Sequence, residues 1–99
     1  MSKKLAGLIK IDPERVLVEL GGRPIQLTPS EFRILDLLVS NKEKVFSRER
    51  ILDYLWKQDK AVVDRTIDVH ISNLRKKIGH MSKYIKNVRG FGYKASDRI

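Results

Sequence analysis

Cysteine is absent from the 99-residue chain. That excludes a disulfide scaffold, a thiol nucleophile, an iron–sulfur centre and any cysteine-based zinc site. It also suits a reducing compartment. Histidine is nearly absent. His70 and His80 are the two present, and they fall on a predicted helix and in a predicted loop, without metal-ligand spacing. No Ser/His/Asp order and no paired carboxylates stand out, so neither catalysis nor a cofactor is expected. No apolar run approaches the roughly 20 residues that span a bilayer. The start of the chain has too few apolar residues before Lys10 for a secretory core, which needs about 7–15. A soluble, cytoplasmic protein with no membrane partner is expected. Repeats, low-complexity tracts and linkers are missing too. The expectation is one domain, 1–99, with an ordered core of about 8–95 and fraying ends at 1–5 and 96–99.

Acidic residues are the scarcer charge, 12 against 21 Lys plus Arg, for a formal charge of +9. The excess is one-sided. Residues 1–41 carry a net +1 and residues 42–99 a net +8. Between Arg75 and Arg98 there are eight basic side chains and a single acid, Asp97. A field of that kind in a small globular domain favours a polyanion as partner. A hydrophobic content of 41% is enough for one core.

Three short strands are predicted first, over 8–11, 15–20 and 24–27. A proline turn at 12–14 and Gly21-Gly22 join them into an antiparallel sheet. Thr28-Pro29-Ser30-Glu31 then reads as a helix start. Thr28 caps, Pro29 suits the first helical position and Glu31 completes a capping box. Phe32, Leu35, Leu38 and Val39 follow at helical spacing. Ser47 caps a second, shorter helix whose apolar stripe is Ile51, Leu52, Leu55 and Trp56. Two helices with a tight joint suggest a helix-turn-helix scaffold. After a polar loop at 57–61, a third helix is predicted over 62–78. Ile67, Ile71, Leu74 and Ile78 form one face of it. Arg65, Val69, Ser72, Asn73 and Lys76 form the opposite face, with Asp68 and Arg75 on one flank. Asp64 and Asp68 read as salt-bridge partners of Arg65 and Arg75. His70 falls at the boundary. Gly79 ends the helix, and a hairpin closes the chain over 84–95, turning at Gly90-Phe91-Gly92.

The third helix has what a major groove requires. One face anchors it, and the other is polar, moderately cationic and free of bulky aromatics. Arg65 and Arg75 suit phosphates, Ser72 and Asn73 suit base edges, and Val69 suits a thymine methyl. On the hairpin, Arg89 beside a tight turn suits the negative potential of a narrow minor groove. Gly90-Phe91-Gly92 is not a nucleotide-binding loop, because it lacks the third glycine and a following helix.

Four stretches together resemble the OmpR/PhoB family of winged-helix DNA-binding domains, the effector halves of bacterial response regulators. They are Leu27-Thr28-Pro29-Ser30-Glu31-Phe32-Arg33-Ile34-Leu35, the run from Val45 to Trp56 (VFSRERILDYLW), the run from Asp64 to Ile78 (DRTIDVHISNLRKKI), and Val88-Arg89-Gly90-Phe91-Gly92-Tyr93. The resemblance implies an α+β winged helix-turn-helix: an N-terminal antiparallel sheet of four strands, three helices and a C-terminal β-hairpin wing. It also implies a third helix in the major groove and a wing arginine in the minor groove of double-stranded DNA. By position, Arg65, His70, Ser72, Asn73 and Arg75 fall on recognition-helix contacts, and Asn87 and Arg89 on wing contacts. Trp56 falls where backbone or polymerase is met, and the loop 56–62 resembles a segment that touches RNA polymerase. Direct-repeat sites and a tandem homodimer on DNA are the family's habit. Ser72 and Asn73 stand where relatives often carry arginine, so guanine readout is not implied there. Nothing in the chain resembles a receiver domain or an acidic phosphoacceptor pocket. A basic RNA-binding or ribosome-associated module is the rival reading. It would place aromatics on an open surface, whereas Phe32, Phe46 and Trp56 are expected in the core.

Overall fold

A computed structural model of the chain describes residues 2–58 and 66–98. It opens with a four-stranded antiparallel meander in the order β1 (Lys3–Leu5), β2 (Ile9–Asp12), β3 (Leu17–Leu20) and β4 (Arg23–Ile25). Ile9, Ile11 and Val18 point to the core from this sheet, and Lys4, Lys10 and Glu19 occupy its other face in register. The two-residue turn between β3 and β4 is Gly21-Gly22, at φ +58° and +85°. Such positive angles at both central positions match the twist of a hairpin and favour glycine.

The expectation of fraying ends is corrected at both ends of the chain. Lys3–Leu5, placed among the fraying residues, is the missing fourth strand. It pairs with β2 and buries Leu5 completely, while the Lys3 ammonium donates to Asp36 at 2.7 Å. The carboxyl end is held as well. Ser96 is buried, and Asp97 accepts from the Ala6 amide at 2.7 Å and from Lys42 at 3.0 Å.

Helix α1 (Pro29–Ser40) starts as its sequence dictates. The Glu31 amide donates to Thr28 Oγ1 at 3.2 Å and the Thr28 amide to Glu31 Oε1 at 3.0 Å, a reciprocal cap that contributes about 1 kcal/mol. Helix α2 (Arg48–Gln58) is capped by Ser47, whose Oγ accepts from the Arg50 amide at 3.2 Å. Helix α3 (Ile67–Ile78) begins with Thr66 at the cap position. The predicted extension back to 62 involves residues 62–65, outside the described part. Ile67, Ile71, Leu74 and Ile78 are all buried, and burying each such side chain is worth about 1.5–3 kcal/mol. A 3-10 helix (Gly79–Tyr84) leads into β5 (Ile85–Val88) and β6 (Gly92–Ala95). The core gathers α1, α2 and α3 beneath the first sheet and the base of the hairpin.

Trp56 is a further correction. It was expected on the buried stripe of α2 and is 52% exposed. At about 100° per residue it lies well round the helix from Ile51, past the edge of the apolar face.

Candidate nucleic-acid interface

Helix α3 presents three sides. Its core stripe is described above. On the side furthest from the core, Val69, Ser72, Asn73 and Lys76 are exposed. The two flanks are tied down by different elements. On one flank Lys77 donates to the buried Glu31 at 2.6 Å, which couples α3 to the cap of α1. His70 is half-buried on that side, the boundary position expected of it. The other flank holds Asp68 and Arg75, and both bond towards the hairpin or its surroundings.

Asp68 accepts from Tyr93 Oη at 2.5 Å and from Arg48 Nε at 2.7 Å. Arg48 also stacks on the Tyr93 ring, 5.2 Å from its centre. The salt bridge expected of Asp68 with its flanking arginines, Arg65 and Arg75, is made instead with Arg48; the partners of Asp68 come from α2 and β6, 20 and 25 residues away in sequence. The Tyr93 hydroxyl and the Arg48 guanidinium hold the Asp68 carboxyl below the usual carboxylate range. Burial, and then the Asp68 hydrogen bond, push the Tyr93 phenol up. Arg75 is half-buried and donates to the Ile85 carbonyl at the base of β5. That contact directs the guanidinium towards the hairpin, whereas an open phosphate position was expected of it.

The hairpin is built against the joint between α1 and α2. Phe46 and Tyr93 exchange two backbone hydrogen bonds of 2.8 and 2.9 Å, an isolated bridge that adds a partner to the outer side of β6. Gly92 lies so near that a Cβ there would sit 2.0 Å from the Phe46 carbonyl oxygen. The Phe91 amide donates to the Val88 carbonyl at 2.9 Å and closes the tip. Asn87, Arg89 and Phe91 are exposed around it. Among the described residues neither Lys76 nor Arg89 has an acidic partner. Lys94 leans on Glu43 at 3.4 Å.

The site residues named from sequence thus divide. Val69, Ser72, Asn73 and Lys76 share the exposed side of α3, with Asn87 and Arg89 on the hairpin beyond its Asp68–Arg75 flank. Arg75 and His70 are at the margins. Trp56 is exposed near the end of α2. The loop expected over 56–62 is corrected at its start, since residues 56–58 are the end of α2; Arg65 and residues 59–62 lie outside the described part. Sequence reasoning did not find Arg48 and Tyr93 as the partners of Asp68. No local pattern marks such contacts, because they join distant segments. Among the described residues no group of His, Asp or Glu is arranged to hold a metal, and no helix is long and apolar enough to cross a membrane.

A meander, three helices and a hairpin braced on the third helix make this a winged-helix domain. The chain matches the family "Transcriptional regulatory protein, C terminal" over residues 22–95. It belongs to that family, the DNA-binding domains of OmpR/PhoB-type response regulators, which are transcription-factor domains and not enzymes. It is 38% identical over 93 residues to the phosphate regulon transcriptional regulatory protein PhoB of Escherichia coli K12, covering 92% of this chain and 41% of that protein. The chain therefore spans about two-fifths of the length of that relative. Its fold is similar to the RstA DNA-binding domain of Klebsiella pneumoniae solved in complex with the RstA box, with TM-score 0.81, 32% identity and 98% of each chain covered. It is also similar to the DNA-binding domain of CpxR from E. coli, with TM-score 0.80, 29% identity, 97% of this chain and 96% of that one.

Proposed function

We infer that the chain binds double-stranded DNA at particular sequences in transcription regulation, with α3 in a major groove and the hairpin in the neighbouring minor groove. One observation carries this reading. The exposed row Val69, Ser72, Asn73 and Lys76 is bounded on its Asp68–Arg75 flank by contacts to the hairpin, so helix and hairpin form one braced unit. Phosphate contacts from Lys76 and Arg65 supply affinity that falls steeply with salt, while Arg75 braces the hairpin through the Ile85 carbonyl. Ser72, Asn73 and Val69 supply base-edge selection. Arg89, with Asn87 beside it, enters an A·T-rich minor groove. His70 and Trp56 add backbone contacts at the margins.

The solved RstA complex, similar over nearly the whole chain, supports a DNA ligand. The finer assembly follows the family's habit: two copies in tandem on direct repeats, with RNA polymerase met through the exposed Trp56 at the end of α2 and the residues that follow that helix up to 62. Selection of bound sequences from random duplex DNA tests the reading. An enriched motif with a repeated half-site is expected. Enrichment of structured RNA over duplex in the same competition would favour the rival reading instead.

A further inference from the structure

Phe91 is 72% exposed, more than any other large apolar side chain among the described residues. The turn does not require it. The turn closed by the Phe91 amide has Gly90 at its third position, with φ +84°. Glycine is demanded there, and the following residue is free. Phe91 has no positive φ of its own, so a polar side chain would serve. The core does not require it either, since it is not a member of the buried cluster. It takes part in no cation–π contact among the described residues. Phe32 and Phe46, by contrast, are buried.

The support beneath this ring is stiff. Gly92 is pressed on the Phe46 carbonyl, Tyr93 is bonded to Phe46 and Asp68, and the Ile85 carbonyl is held by Arg75. These contacts tie the hairpin to α3 and to the α1–α2 joint. Arg89, also exposed, is two residues away on the same turn. The tip therefore offers a cation and an uncommitted aromatic ring together. The cation suits the potential of a minor groove, and apolar side chains inserted from that groove unstack base steps.

We propose that Phe91 is a wedge: its ring enters the minor groove beside Arg89 and partly unstacks one base step. The inference rests on the DNA-binding reading above. It adds a selection term that needs no hydrogen bond to a base. Pyrimidine–purine steps, which kink most easily, are favoured beneath the hairpin, and the bound duplex is bent there.

The test starts from duplexes selected by the unaltered domain, with 2-aminopurine placed at each step of the hairpin's footprint. Unstacking raises the fluorescence of that base. A rise at one step is expected with the unaltered domain, a smaller rise with Phe91→Leu and none with Phe91→Ala. Phe91→Ala should weaken binding about tenfold, the order of an aromatic–base contact. It should also lose the preference for a pyrimidine–purine step while keeping the preferences read by α3. Both substitutions are at an exposed position, and thermal melting checks that both variants fold. Unchanged affinity and fluorescence in Phe91→Ala would overturn the wedge. So would weakened binding without a fluorescence rise at any step for the unaltered domain, because the ring would then pack on the backbone. Failure to select any duplex would remove the DNA-binding reading itself, so the two failures are distinct.

Discussion

The Tyr93 hydroxyl donates to the Asp68 carboxylate at 2.5 Å, which joins the hairpin to the first turn of α3. With Arg48 on the same carboxylate oxygen, three elements meet at one acid. The angle between helix and hairpin is therefore set by a polar contact as well as by the core.

Tyr93→Phe isolates that contact. The ring is buried and the backbone bridge to Phe46 does not involve the hydroxyl, so packing survives. Asp68 keeps Arg48. A stability loss of about 0.5–1.5 kcal/mol is expected, the net worth of one hydrogen bond. Affinity for a selected duplex should fall several-fold while affinity for random duplex holds, because the two grooves are then engaged out of register. Equal losses on both DNAs would show that the hydroxyl does not set the geometry.

Acid should loosen the same structure. Asp68 is held low by Tyr93 and Arg48. Glu43 is held low by the Ser96 hydroxyl and then by Lys94. Asp97 is held low by the Ala6 amide and then by Lys42. A carboxyl that is more acidic when folded stabilises the fold above its unfolded pKa, and that contribution is lost as pH falls through the folded value. The loss is expected below about pH 4, where ordinary carboxylates begin to protonate. All three groups are near solvent, so the effect is modest. Thermal melts from about pH 6 to pH 3 should show a declining Tm, with a shallower decline in Glu43→Gln. A flat profile would contradict this account.

Two glycines of the hairpin should respond differently to a methyl group. Gly92 has φ +143° and no room beside Phe46. Gly92→Ala should cost about 2–3 kcal/mol through strain and overpacking, and should displace the hairpin. Gly90 has φ +84° but open space around it. Gly90→Ala should cost about 1–2 kcal/mol, the price of a left-handed residue alone. Denaturant melts compare the two. Gly90→Ala as the more damaging change would refute the steric role of Gly92.

Leu74 is completely buried. Leu74→Ala should cost about 2–5 kcal/mol by opening a cavity. Its effect on DNA should follow the fraction folded. Melting like that of the unaltered chain would contradict the burial.

Local pattern carried the helices and most of the first sheet. Thr28 and Glu31 announced their reciprocal bonds because a cap is a contact between near neighbours. Ile67, Ile71, Leu74 and Ile78 announced a buried face because helical period is local too. β1 was hidden for the opposite reason. Lys3-Lys4-Leu5 has a single fully buried side chain, and its order comes from β2 and Asp36, both non-local. The anchoring of Asp97 by Ala6 joins the two ends of the chain, which no window of sequence contains. On α3 the wheel correctly left Val69, Ser72, Asn73 and Lys76 exposed. It could not show that Arg75 turns towards Ile85, because only the folded hairpin supplies that carbonyl.

Substitutions of Lys76 and Arg89 should separate the two components of the proposed binding. Both are exposed cations without an acidic partner among the described residues, so neither change should disturb the fold. Lys76 is on the exposed side of α3, and in the proposed reading it meets phosphate, which carries no sequence information. Lys76→Ala should weaken selected and random duplexes alike and make the salt slope shallower by about one unit. Arg89 is at the hairpin tip, and in the proposed reading it enters a minor groove whose width varies with sequence. Arg89→Ala should cost about 1–3 kcal/mol on a selected site and much less on random duplex. Titrations on both DNAs at several salt concentrations resolve the pair. A change of base preference in Lys76→Ala would show that Lys76 faces a base edge and not a phosphate. Equal losses on both DNAs in Arg89→Ala would reduce the hairpin to an electrostatic contact.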